Sequence, residues 1–188
     1  MPGFIENVCV DVCDYAPQVA TRIVRSLPKK QRRIVLDVSG TEPHPAVARA
    51  VRKDLREVGF DVRIRTFRFG KYLRRLQRGE QQVYRLGWIA EFPTADAFLS
   101  ALFDSDSPDN HSGFSSKEVD RLLDRAHATR SDGKRTQLYI EAEKAILRAL
   151  PIAPMGAFVT HWAAREEIRG VTFDQMGGFD AIDVAFAS

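Results

Sequence analysis

Three apolar, β-branched runs separated by two stretches of helical periodicity constrain the fold of this chain more than any other feature. Arg33 to Ser39 (Arg-Ile-Val-Leu-Asp-Val-Ser) reads as a strand, and Gly40-Thr41-Glu42-Pro43 then turns the chain. From about Pro45, the residues Val47, Ala48, Val51, Leu55 and Val58 recur at helical spacing, and Gly59 caps that helix. Phe60 to Phe67 alternates as a strand, Tyr72 to Gln77 is a helix closed by Gly79, and Gln82 to Trp88 is another strand. The order β-α-β-α-β calls for a parallel or mixed sheet covered by helices, because parallel neighbours need a crossover connection.

The flanks read differently. Residues 1–15 are loop-like, and a short helix runs from Pro17 through Val19, Ile23, Val24 and Leu27 until Pro28 ends it. Beyond the third strand the chain is rich in helix. Thr94 to Phe103 follows Pro93 as a helix, and Asp104 to Ser115 is a long polar loop. Ser116 opens the next helix, with Glu118 and Asp120 in its first turn and Leu122, Leu123 and Ala126 on its inner face. Its capping box is incomplete, because the third position after Ser116 is Val119. Asp132-Gly133 is expected to break this helix, and Lys134 to Ala149 forms another, with Leu138, Ala142, Ala145, Ile146 and Ala149 on one face. Pro151 to Val159 reads as a short apolar strand at an edge, given its two prolines.

At 188 residues, with 44% hydrophobic and 28% charged residues, the chain can bury a proper core. No run approaches the roughly 18 apolar residues of a membrane span. The N-terminus lacks the basic-then-apolar pattern of a secretory signal, which leaves a cytoplasmic protein or a piece of a longer exported precursor. Charge is uneven: residues 1–85 hold 18 basic against 9 acidic residues, and residues 86–188 hold 10 against 16. Nucleic-acid binding would want the basic clusters interleaved with exposed aromatics. Instead Arg63 and Arg65 alternate with Val62 and Ile64, and Arg74, Arg75 and Arg78 sit opposite Tyr72, Leu73 and Leu76, so both sets are expected to form solvated faces. Cys9 and Cys13 leave two buried thiols or one local disulfide open. Four scattered histidines (His44, His111, His127 and His161) give no metal-ligand spacing, and no cofactor is expected.

Chemistry concentrates in Tyr84-Arg85-Leu86-Gly87-Trp88-Ile89-Ala90-Glu91-Phe92-Pro93. A strand-like run ends in Gly87-Trp88, and a carboxylate follows three residues later before a Phe-Pro turn. An aromatic plate beside an acid at a strand's C-terminal end suits a ligand that is part apolar and part cationic. Packing is the alternative role for Trp88. Asp96, Phe98 and Leu99 read as helix start and core, His111 sits in the polar loop, and Trp162 and His161 lie near a strand end. Tyr139 and Glu143 share helical spacing and read as structural.

These motifs resemble a family. Trp88-Ile89-Ala90-Glu91-Phe92-Pro93-Thr94-Ala95-Asp96-Ala97-Phe98-Leu99 is similar to the Gly-Trp-x-x-Asp-Tyr-Pro-Asp-Pro segment of family 5 solute-binding proteins, the dipeptide and oligopeptide receptors of ABC importers. Asn110 to Leu123, Arg135 to Ile146, Leu150 to Pro154, Val58 to Val62 and Tyr72-Leu73-x-x-Leu76 fit as well, so the resemblance covers roughly residues 14–160. It implies an α/β, periplasmic-binding-protein-like (type II) lobe with a mixed sheet covered by helices. It also implies that residues 1–188 are a single domain, the C-terminal lobe, with the N-terminal lobe absent.

By the same resemblance Glu91 stands where the family's aspartate meets the ligand's α-amino group, Trp88 helps form the pocket wall, and Gly87, Ala90 and Phe92 flank them; His111 is a further candidate contact. Glu is one methylene longer than Asp, so either the ammonium sits about 1 Å or more further out or the ligand differs, and Thr94-Ala95 in place of the usual residues after the proline leaves the ligand's identity open. The implied function is non-catalytic binding of a peptide or similar solute. The implied partners are importer membrane subunits and the missing lobe, with no nucleic acid, in a bacterial protein of the periplasm or cell surface. The sequence contains no Gly-x-Ser-x-Gly, phosphate loop or His-Glu-x-x-His. A sensor lobe of a transcriptional regulator and a non-binding fragment or interaction module are the alternatives.

Overall fold

A computed structural model describes residues 14–156, 159, 161, 163–174 and 177–186. Cys9, Cys13 and Trp162 lie outside the described residues. Helix α1 (Pro17–Ser26) starts on Pro17, whose missing N–H costs nothing at a helix start. Strand β1 (Arg33–Ser39), helix α2 (His44–Glu57), strand β2 (Asp61–Phe67), helix α3 (Phe69–Gln77) and strand β3 (Val83–Tyr84) follow. The strands form a parallel sheet in the order β2-β1-β3, with Arg33 level with Asp61, Ser39 with Phe67 and Asp37 with Tyr84.

Alternation along β1 divides its side chains between two covered faces. Leu36 and Val38 point with Val62 toward α2, where Ala48, Val51 and Leu55 complete an apolar core. Asp37 points the other way, beneath α3, whose Tyr72 and Leu76 are buried one helical turn apart. This opposite face holds the main departure from the expected solvated arginines. Arg65 Nε and Nη2 donate to the two oxygens of the fully buried Asp37 carboxylate at 2.6 and 2.7 Å. Arg75 Nη2 approaches the same carboxylate at 3.5 Å and donates to Glu80 through Nη1 at 2.6 Å. The cause is architectural: a central parallel strand is covered on both sides, so an acid there must find cations.

Two boundaries differ in kind rather than by a residue. The third strand pairs only at Val83 and Tyr84, not from Gln82 to Trp88. Arg85 N still reaches Asp37 O at 3.2 Å, but the Tyr72 hydroxyl donates to Arg85 O at 2.8 Å and the chain then leaves the sheet. The helix that follows Ser116 ends at Ala128 and the next begins at Asp132, so Asp132-Gly133 is the first turn of a helix instead of a break. An aspartate in a first turn complements the helix dipole, which offsets the low propensity of the glycine.

Helices α4 (Asp96–Phe103), α5 (Lys117–Ala128) and α6 (Asp132–Ala149) enclose a second core of Phe103, Val119, Leu122, Leu123, Leu138, Ala142 and Ile146. Ser116 is the N-cap of α5, its hydroxyl accepting from Val119 N at 3.3 Å. The loop between α4 and α5 is irregular but tied down. Ser105 Oγ donates to Asp120 Oδ2 at 2.8 Å, and Asn110 Nδ2 donates to Phe114 O at 2.7 Å. Helix α6 stops at Leu150, a non-glycine residue at φ 49°.

Residues 151–156 form no strand, against the expectation for Pro151 to Val159, of which 157 and 158 lie outside the described residues. Two prolines remove the amide donors a ladder needs. Farther on, Ile168–Arg169 (β4) pairs antiparallel with Ala185–Phe186 (β7), and Thr172–Phe173 (β5) with Phe179–Asp180 (β6). Among the described residues no helix is long and apolar enough to cross a membrane.

Candidate functional site

All three parallel strands end on one edge, at Ser39, Phe67 and Tyr84. The connector 85–95 leaves from that edge and leads to α4. It carries five of the six residues singled out from sequence: Gly87, Trp88, Ala90, Glu91 and Phe92. Burial alternates along it. Ile89 is 82% exposed, Ala90 only 5%, and Glu91 and Phe92 face outward, the latter 51% exposed. The period-2 apolar pattern therefore reports an extended chain, as expected, but one without a ladder partner. Among the described residues the amides of 86–91 have no backbone acceptor.

Trp88 is half-buried, and its indole N–H donates to the Ala97 carbonyl in the first turn of α4 at 2.7 Å. That bond fixes the ring plane and satisfies the only polar group of the side chain, so Trp88 is anchored as well as packed. The Glu91 carboxylate is exposed, and among the described residues no cation is paired with it. His111 sits apart, in the α4–α5 loop. Its carbonyl accepts from Gln81 Nε2 at 2.8 Å, which ties that loop to the segment just before β3.

Several residues around the connector were not singled out in advance. His44, at the start of α2, places Nδ1 against Arg85 Nη1. Burial pushes its imidazole below the ordinary value, and the Arg85 charge pushes in the same direction. Phe67, at the end of β2, carries Arg75 4.8 Å and Arg65 and Lys71 5.8 Å from its ring centre. On α4 the Asp96 carboxylate gathers Ser100, Tyr139 and His127. Tyr139 thus serves Asp96, where sequence spacing had suggested Glu143. Only Asp37 gave a readable signal, as a lone charge inside an apolar strand run. Among the described residues no group of acids, histidines or cysteines could hold a metal ion.

This arrangement offers an open row of main-chain donors, an apolar rim and one exposed carboxylate. A sequence model of bacterial extracellular solute-binding proteins, family 5 middle, matches residues 13–110. The chain is 28% identical over 134 residues to the dipeptide-binding protein of Escherichia coli (strain K12), which covers 70% of this chain and 25% of that protein. It is 25% identical over 146 residues to the oligopeptide-binding protein OppA of Bacillus subtilis (strain 168), covering 77% and 27% respectively. A dipeptide binding protein from Pseudoalteromonas sp. SM9913, solved in complex with Met-Leu, superposes with a TM-score of 0.72 at 23% identity over 92% of this chain and 36% of that one. The last likeness shows a shared α/β fold. The chain spans about a quarter of the length of the curated relatives it matches.

Proposed function

The chain belongs to the bacterial extracellular solute-binding proteins of family 5, and from that premise we propose that it is the C-terminal lobe, one domain, of a peptide receptor for an ABC-type importer. The observation that carries this reading is the connector itself: an extended segment at the C-terminal edge of a parallel sheet, with unpaired amides and an exposed carboxylate. An extended peptide can add to residues 86–91 as a strand adds to an edge, drawing affinity from main-chain bonds. Glu91 then accepts from the peptide's ammonium, a charge-assisted bond worth about 1.5–3 kcal/mol when water is excluded. Trp88 and Phe92 supply the apolar wall, with Gly87 and Ala90 leaving room for the peptide main chain. His111, which sits apart in the α4–α5 loop, takes no part in this reading.

A single wall leaves the ion pair in water, where its worth falls severalfold. The lobe by itself therefore binds short peptides no better than about millimolar, and tight binding requires a second wall that closes over them. In the complete receptor the site faces the periplasm or the cell exterior, and the loaded protein docks on membrane subunits of the importer. Calorimetry tests the reading in a protein extended to the length of its relatives. Glu91→Gln weakens binding of peptides with free amino termini and spares their acetylated forms. Equal losses for both would remove the ammonium role.

A further inference from the structure

Asp96, the first residue of α4, collects donors from three helices onto one carboxylate oxygen. Ser100 Oγ donates to Oδ1 at 2.6 Å from the next turn of α4, and the Tyr139 hydroxyl donates at 3.2 Å from α6. His127 Nε2 closes on the same oxygen from the end of α5. The next residue, Ala97, holds the Trp88 indole through its carbonyl at 2.7 Å. The carboxylate that knots the three helices and the carbonyl that orients Trp88 are thus neighbours on a single helical turn. Helix packing alone does not call for this, since the apolar core of Phe103, Val119, Leu123, Ala142 and Ile146 already joins the helices.

Resting on the reading of Trp88 as a wall of the peptide site, we propose that Asp96 and His127 are positioning residues for Trp88, their ion pair fixing the first turn of α4 and thereby the indole. The groups that surround the imidazole are Asp96 and the Ser100 hydroxyl from α4, with Ser100 Oγ 3.2 Å from Nε2. From α6, Tyr139 and, behind it, Arg135 act through the same carboxylate. Burial raises the Asp96 carboxyl, and the bonds from Ser100 and His127 outweigh it and hold the group below its ordinary value. Those bonds keep Asp96 an anion across the range of ordinary buffers. Protonated His127 locks the turn by attraction as well as by a hydrogen bond; neutral His127 keeps at most the hydrogen bond.

Trp88 fluorescence reads this directly, with Trp162→Phe removing the other indole and the chain otherwise intact. Across a pH titration the emission maximum and the access of a neutral quencher follow one sigmoid, while far-UV circular dichroism stays constant. His127→Gln abolishes the sigmoid and keeps the fold. Any peptide that binds does so with an affinity changing at most about fivefold over the same range, because both partners are partly exposed. A flat Trp88 signal in the parent, or an unchanged sigmoid in His127→Gln, overturns the proposal. The optical titration uses no ligand, so a failure of the peptide reading leaves its outcome standing, and the two are distinguishable.

Discussion

Replacing Asp37 by alanine removes the one charge buried inside the sheet, and its cost follows from the surrounding geometry. The carboxylate is wholly inaccessible and accepts two short bonds from Arg65, with Arg75 3.5 Å away. Each charge-assisted bond is worth about 1.5–3 kcal/mol net. The Arg65 side chain is 35% exposed and can turn to water once its partner is gone, which recovers part of the loss. Arg75 keeps Glu80 as a partner at 2.6 Å. We therefore expect a cost of about 3 kcal/mol, toward the low end for breaking a buried pair, and a melting midpoint lower by about 6–12 °C. Urea denaturation followed by circular dichroism measures it, with Arg65→Ala and the double variant completing a cycle. A coupling energy of about 1.5 kcal/mol or more is expected. A cost under about 1 kcal/mol, or coupling within ~0.5 kcal/mol of zero, would refute the claim that this pair holds β1 to β2.

Leu123→Ala, at a fully buried position among the three C-terminal helices, lowers stability by about 3 kcal/mol in the same denaturation assay. Asp96 has its carboxyl held below the ordinary value of 3.8, so its contribution is present above that value and is lost as pH falls through the lowered one. Acid unfolding curves of the parent and of Asp96→Asn accordingly converge at the acid end and separate above it. Tyr139 is pushed up from 10.0 to about 12 by burial and by the Asp96 charge, so its share of stability is complete below pH 10 and disappears between pH 10 and 12. Phenolate absorbance of the parent minus that of Tyr139→Phe follows this ionisation.

Local pattern foretold the sheet well. The β-branched run of β1 and the apolar spacing of α2 fixed those elements because each is decided by a few neighbouring residues and by which face is covered. Capping of α5 by Ser116 was equally local. The third strand was overread, because alternation signals an extended backbone and says nothing of whether a neighbour is free to pair with it. Trp88 leaves the sheet to bond Ala97, a tertiary choice that spacing cannot express. The same limit hid the ion pairs: Arg65 meets Asp37 across 28 residues and Tyr139 meets Asp96 across 43. Expecting a solvated arginine face overlooked that α3 must cover the second face of β1. The connector itself was legible, since glycine, tryptophan, carboxylate and proline fall together in seven consecutive residues, 87–93, just past one strand.

The central claim is that residues 86–92 bind a peptide through free amides and the Glu91 carboxylate, and an amide-resolved NMR titration of this chain tests it most directly, because it detects even millimolar binding. Addition of a tripeptide with a free amino terminus is predicted to shift the amides of Leu86 to Phe92, with much smaller shifts for the N-acetylated form and for Glu91→Gln. Shifts confined to other surfaces, or equal for the free and acetylated peptides, would contradict the account.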